Sequence, residues 1–197
     1  MKELDFKGLS CPQPVIRTKA YLEETADCLQ LAVVLDNQAA AENVTRFLEG
    51  QGFVVAVKEE GALYRLCGQR TDAQSLPAAG ESQGAAGSVV LMITHSTIGT
   101  GDLELGRKLM LNFLKTLPEM GDSLWRIMLV NDGVKLVCRD TDTLAEFKAL
   151  EKQGVSLLVC GTCLEHFGLM AEKGAGQTTN MLDIVTSLQV ADKVINI

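Results

Sequence analysis

Residues 69–87, QRTDAQSLPAAGESQGAAG, constrain the fold of this chain more than any other stretch. They hold three glycines, five alanines and one proline, and Leu76 is their only large apolar side chain. Such a segment buries too little to offset the entropy of ordering it, so it reads as a flexible linker. A length of 197 residues suits one domain or two, at roughly 100–200 residues each. The linker decides for two, at 1–68 and 88–197. Each of these segments carries a net charge of -3, within a total of -7. Neither has the basic surplus of a phosphate-backbone binder, so nucleic acid is not an expected partner.

The first segment reads as βαβαββ. Leu4 and Phe6 alternate in a short strand, and a turn at Gly8 leads into a helix whose apolar stripe has Ile16 and Ala20 four apart and Val15 and Leu22 seven apart. Leu29, Leu31, Val33 and Leu35 alternate again. Ala40, Val44, Phe47 and Leu48 form the apolar face of a second helix, stopped by Gly50 or Gly52. Phe53 to Val57 and Leu63 to Cys67 are the last two strands. The expectation is a two-layer sandwich, with two helices over one face of a small mixed sheet.

The second segment alternates strands and helices, which predicts a three-layer α/β/α domain with a mainly parallel sheet. Its expected strands are 88–94, 124–130, 155–160 and 193–197, with a short segment at 134–138. Its expected helices carry stripes at Leu105, Leu109 and Phe113 and at Met181, Val185 and Leu188. Between them lies a helix opened by a Thr143–Glu146 capping box and closed at Gly154.

Six cysteines are too sparse for a disulfide scaffold, and a reduced, cytoplasmic compartment is expected. The start of the chain alternates charged and apolar residues and has no export-signal pattern. The longest apolar runs are strand-sized, far short of the roughly 20 residues that cross a bilayer. Membrane association is therefore not expected either.

Cys11-Pro12-Gln13-Pro14 is the most informative motif. Proline suits the first helical position, which would place Cys11 at the N-cap, facing unsatisfied amides that favour a thiolate. A core cysteine ahead of a proline is the alternative. The stretch from Gly8 to Lys19, with the Leu35-Asp36-Asn37 strand end and the Phe47 to Val55 unit, resembles the TusA/SirA-like sulfurtransferase family. The resemblance covers residues 1–68. It implies that Cys11 accepts a persulfide from a donor and passes it on, with Pro12 and Pro14 shaping the helix N-terminus.

Cys160-Gly161-Thr162-Cys163 ends a buried strand, at the carboxyl edge where open α/β sheets hold their ligands. Zinc would need a second ligand pair, and no other CxxC or HxxxH exists. A dithiol–disulfide switch and a persulfide site remain open. His166, three residues after Cys163, is either a base facing that sulfur or a structural histidine. His95, with Ser96 and Thr97, is a candidate for lining the same edge. Residues 154–168 resemble the DsrE/DsrF-like sulfur-relay family, in which a cysteine at the end of this strand carries sulfur. Cys160 matches that position, while Cys163 departs from the single-cysteine pattern. Gly101 to Lys108 imitates a phosphate loop but has Arg107 and Lys108 where Lys and Ser/Thr belong. Gly99 to Glu104 lacks the third glycine of a dinucleotide fingerprint.

The two resemblances in this order are those of the YedF-like proteins, which are linked to selenium metabolism. They imply a sulfurtransferase-like carrier of sulfur or selenium using Cys11, Cys160 and Cys163, with no metal and no cofactor. The implied partners are a cysteine desulfurase or other donor protein, a downstream acceptor, and further copies of the chain through the second domain. A thiol–disulfide oxidoreductase using Cys160 and Cys163, and a non-catalytic adaptor, are the alternatives.

Overall fold

The computed structural model describes residues 2–70 and 88–197, which fall in two compact units described separately below. Residues 71–87 of the expected linker lie outside the described residues. Gln69, given to that linker on composition, instead closes a strand.

In the first unit, β1 (Lys2–Asp5), α1 (Gln13–Glu24), β2 (Gln30–Leu35), α2 (Gln38–Gly50), β3 (Val54–Glu60) and β4 (Leu63–Gln69) follow the expected order. The sheet runs β1-β2-β4-β3. β1 is parallel to β2, with Leu4 opposite Val33, and β4 is antiparallel to β2 and β3, with Leu66 opposite Val33 and Val57. The central β2 is buried from Leu31 to Leu35. Asn37 caps α2 by accepting the Ala40 N–H at 2.7 Å, and the helix buries Ala40, Val44 and Leu48. Gly68 lets α2 and β2 close over β4: a Cβ there would sit 3.3 Å from Leu31 Cδ2.

Two features of α1 differ from the sequence reading. Val15 of the expected stripe is buried, but Ile16 is 38% exposed and Ala20 is exposed, and Pro14 and Thr18 are buried in their place. Thr18 can join this face because its hydroxyl donates to the Pro14 carbonyl at 2.8 Å, which satisfies it without water. The helix also begins at Gln13, with Pro12 at the N-cap position and Cys11 in the preceding turn. Cys11 is therefore not the N-cap.

The second unit comprises β5 (Val89–Ile93), α3 (Leu103–Thr116), β6 (Leu124–Leu129), α4 (Leu144–Lys152), β7 (Ser156–Cys160), α5 (Gly161–His166), β8 (Gln177–Thr179), α6 (Met181–Val190) and β9 (Lys193–Asn196). All five strands are parallel, in the order β8-β7-β6-β5-β9. The chain steps outward from β5 to β8 and then returns to the far side of β5. Right-handed crossovers consequently place α6 on the opposite face from α3 and α4. Met110 and Leu114 of α3, Phe147 of α4 and Ile184 of α6 share one core with the three central strands. Full burial of a side chain such as Phe147 contributes about 1.5–3 kcal/mol.

Several local expectations shift. α3 buries Gly106, Met110 and Leu114, while Leu105 and Leu109 of the expected stripe are 55% and 42% exposed. Two adjacent stripes of this helix are apolar, and periodicity does not say which one meets the sheet. Likewise α6 buries Ile184 and Ser187 and exposes Met181 and Val185. Thr143 makes no capping box, because its hydroxyl donates to the Leu136 carbonyl at 2.6 Å instead. Residues 131–137 form a 3₁₀ segment, and Cys163 lies within α5. β8 has no counterpart among the expected strands, since Gln-Thr-Thr has no apolar run. Among the described residues, no helix is long and apolar enough to cross a membrane.

The 3₁₀ segment crosses β5 closely at Gly133. A Cβ there would lie 2.5 Å from the Ile93 carbonyl oxygen, a backbone atom that cannot swing aside. Gly133→Ala is expected to destabilise the second unit by about 1–3 kcal/mol through overpacking. Trp125, the single tryptophan and a β6 residue, reports this as a lower urea midpoint in fluorescence.

Candidate functional site

The first unit holds Cys11 in a turn pinned on both sides. Upstream, Phe6 donates its N–H to the Val34 carbonyl at 2.9 Å, and Gly8, at φ 72°, donates to Asp36 Oδ2 at 2.6 Å. Downstream, Gln13 donates to the Ser10 carbonyl at 2.9 Å, and the Cys11–Pro12 peptide is cis. Cys11 is half-buried. The first turn of α1 offers this sulfur fewer amides than expected. Pro12 and Pro14 have no N–H to offer, and that of Gln13 is taken by Ser10. The proline motif therefore acts on Cys11 by fixing the path of its loop.

In the second unit the carboxyl ends of β5, β6 and β7 lie side by side. Cys160, the last residue of β7, is 4% exposed, and Cys163, inside α5, is half-buried. Neither is in a disulfide. The Cys163 sulfur accepts the backbone N–H of Asn131 at 3.0 Å. Asn131 follows β6 by two residues and has a positive φ of 48°, a conformation asparagine tolerates better than most side chains. A hydrogen bond from the Cys160 thiol is the largest influence on Cys163. Burial opposes it, the Asn131 N–H and the nearby His166 assist it, and together they hold the Cys163 thiol down to about 6.

A second chain of contacts braces the same edge. Asp132 accepts the Ser96 N–H at 3.1 Å and the Ser96 hydroxyl, and pairs with Lys135 at 2.5 Å. The Lys135 ammonium lies 4.4 Å from the centroid of Phe167, which meets His166 edge-on at 5.1 Å. Burial alone would raise the Asp132 carboxyl, but Lys135 and Ser96 outweigh it and hold it down to about 2.

The structure thus brings Cys160, Cys163 and His166 together. His166 is exposed at the end of α5. His95 is also exposed, and its Nδ1 engages Thr94 Oγ1 at 2.8 Å and neither cysteine. Cys11 belongs to the other unit. Asn131 and Asp132 are the neighbours that spacing did not single out. The usable signal was an Asn-Asp pair at the carboxyl end of the strand beside β7. The remaining cysteines differ in kind. The Cys28 and Cys138 thiols are buried and donate to backbone carbonyls at 3.6 Å, and burial pushes Cys138 up. Cys67 is a strand residue of β4. Among the described residues, no group of three or more His, Cys, Asp or Glu side chains is placed to hold a metal.

The bracing role of Asp132 has a pH signature. Its folded-state value lies below the unfolded one of about 3.8, so the stabilisation is complete above pH 4 and lost as pH falls through about 2. Asp132→Asn is expected to melt below the wild type at pH 7, with the gap narrowing between about pH 4 and 2. Thermal melts followed by Trp125 fluorescence measure it, and a gap independent of pH would contradict the assignment.

Comparison with known proteins agrees with both units. Residues 2–70 match the family model "Sulfurtransferase TusA", and residues 88–197 match that of the DsrE/DsrF-like family. A protein of Methanocaldococcus jannaschii named "Putative sulfur carrier protein MJ0990" is 47% identical over 60 residues, which are 30% of this chain and 80% of that protein. Among solved structures, a SirA-like protein from Desulfitobacterium hafniense is 26% identical, covering 36% of this chain and all (100%) of its own, at a TM-score of 0.34. The ychN protein of E. coli is 18% identical, covering 56% of this chain and 99% of its own, at a TM-score of 0.45. MTH1491 of Methanobacterium thermoautotrophicum, a protein of unknown function, is 19% identical, with coverage of 56% and 98% and a TM-score of 0.42. The chain belongs to the DsrE/DsrF-like family through residues 88–197, joined to a TusA sulfurtransferase unit at residues 2–70.

Proposed function

We propose that this protein is a sulfur carrier that holds persulfide sulfur on Cys11 in its first unit and on the Cys160–Cys163 pair in its second. The observation that carries the reading is the hydrogen-bonded thiol pair, with Cys163 held down to about 6 at the carboxyl edge of the sheet. Membership of two sulfur-handling families supports it, as does similarity to a protein named as a sulfur carrier. Each transfer is a thiolate displacement. The cysteine sulfur attacks the outer sulfur of a donor persulfide, the donor S–S bond breaks, and the donor leaves as a thiolate with the bonding pair. One S–S bond replaces another, so no oxidant, reductant, metal or organic cofactor takes part. Selenium fits the same displacement, with a selenopersulfide as the carried form.

The proposed partners are a cysteine desulfurase or similar donor, an acceptor protein, and a second copy of the chain. Self-association is supported by Leu105 and Leu109, exposed one turn apart on α3. The second reading, a thiol–disulfide oxidoreductase, is favoured by one observation only, the contact between Cys160 and Cys163.

Loading the reduced full-length protein with a cysteine desulfurase and cysteine separates the readings. Intact and peptide mass spectrometry are expected to show one added sulfur on Cys11 and one on the second-unit pair, with the Cys11 adduct lost in Cys11→Ala. Selenium delivery in place of sulfur is expected to label the same sites. Protein that takes no sulfur anywhere, but forms a reversible Cys160–Cys163 disulfide, would establish the oxidoreductase instead.

A further inference from the structure

We infer that within the second unit Cys163 is the thiolate that takes the sulfur atom, and that Cys160 is a positioning residue serving it as a hydrogen-bond donor. This rests on the sulfur-carrier reading and divides the labour within its second site. By position alone the roles would be reversed, because Cys160 ends the strand and Cys163 is the added residue.

Access argues first. Displacement at sulfur needs the attacking atom, the transferred sulfur and the leaving sulfur nearly in line, so the nucleophile must face an open approach. Cys160 is 4% exposed and belongs to the core that contains Val159 and Leu164, both fully buried. An added sulfur atom on Cys160 would have to be accommodated there, and close-packed interiors resist even one extra methylene-sized group. Cys163 is half-buried, one turn before the exposed His166. It alone of the pair can meet a donor without the core opening.

Hydrogen bonding argues the same way. Two adjacent thiols lose their protons in sequence, because a second negative charge is opposed by the first. Donors aimed at a sulfur favour the charge there. Cys163 receives the Asn131 N–H at 3.0 Å and the Cys160 S–H. Asn131 is held at that angle by a left-handed backbone whose next residue, Asp132, is fixed to Ser96 and Lys135. Cys160 hands its hydrogen bond to its neighbour. A thiol held down to about 6 is mostly thiolate at pH 7 yet not so acidic as to lose its nucleophilicity.

The step balances without any further reactant. Cys163-S⁻ attacks the outer sulfur of a donor R–S–SH. The donor S–S bond breaks as the Cys163 S–S bond forms. R–S⁻ leaves with the electron pair, and the hydrogen stays on the transferred sulfur. The transferred atom keeps its oxidation level, and the Cys160 proton stays where it was.

The test uses the reduced full-length protein and glutathione persulfide, with persulfides trapped by alkylation and located by peptide mass spectrometry. Sulfur is expected on Cys163 in the wild type, and Cys163→Ser is expected to leave Cys160 unlabelled. Cys160→Ala should still load at Cys163, but the pH midpoint of Cys163 alkylation by iodoacetamide should rise. Below the midpoint its rate drops about tenfold for each unit of rise. Cys160→Ser, which restores a donor, should return the midpoint toward the wild type, a rescue that a purely structural role would not produce. Sulfur on Cys160 in the wild type or in Cys163→Ser overturns the inference, as does an alkylation midpoint unmoved in Cys160→Ala. Sulfur on Cys11 alone overturns it while leaving the carrier reading in place. Absence of sulfur from every cysteine removes both.

Discussion

A parallel sheet buried on both faces can present reactive groups only at its strand ends, and the second unit is organised by that constraint. β5, β6 and β7 are apolar nearly throughout because helices cover both sides. Their parallel direction brings all three carboxyl ends to one edge, so residues far apart in sequence meet there. Ser96 follows β5, Asn131 and Asp132 follow β6, and Cys160 closes β7. Gly133 extends the constraint by one step. Its missing Cβ lets the 3₁₀ segment rest against the Ile93 carbonyl. That contact keeps Asn131 within reach of Cys163.

The two units hold their cysteines by different physics. In the first, backbone geometry does the work. Gly8 is tied to Asp36 and Gln13 to Ser10, and two prolines remove amides that could otherwise have turned toward the sulfur. Cys11 is fixed in place on a surface turn. In the second unit the sulfur is solvated by the protein itself, through one backbone N–H and one neighbouring thiol. The chain thus holds one cysteine site defined by loop path and another defined by hydrogen bonds.

Much of this was legible in the sequence, for identifiable reasons. A break in apolar content marks the two units whatever their detailed fold, although Gln69 shows that composition blurs the boundary by a residue or two. Buried parallel strands such as Leu157 to Cys160 are continuous apolar runs and hard to mistake. What failed was orientation. α3 carries two adjacent apolar stripes, and only the packed structure shows that Met110 and Leu114 face the sheet while Leu105 and Leu109 do not. Thr18 and Thr143 are buried because their hydroxyls find carbonyls, which no hydropathy pattern records. The Cys11 motif was legible as a motif but not as a geometry, since two prolines leave little of the amide cluster that a helix start ordinarily offers. Asn131 was hidden because it acts through its backbone, and any residue tolerating its φ would read as a turn.

Charge explains why the second site needs contacts this short. The proposed cargo, a persulfide, is anionic, yet residues 88–197 carry a net charge of -3. At physiological salt, charges beyond about 8 Å are largely screened, so neither the acidic surface nor a distant lysine decides the state of a thiol. Lys135 is already paired with Asp132 and faces Phe167. The groups left to favour a negative sulfur are those in direct contact with it, the Asn131 N–H and the Cys160 S–H, aided by His166 close by. A second cysteine at the end of β7 therefore serves electrostatics as much as chemistry. It places a polarizable donor, itself sealed from solvent, against a thiolate that the overall charge of the domain would not favour.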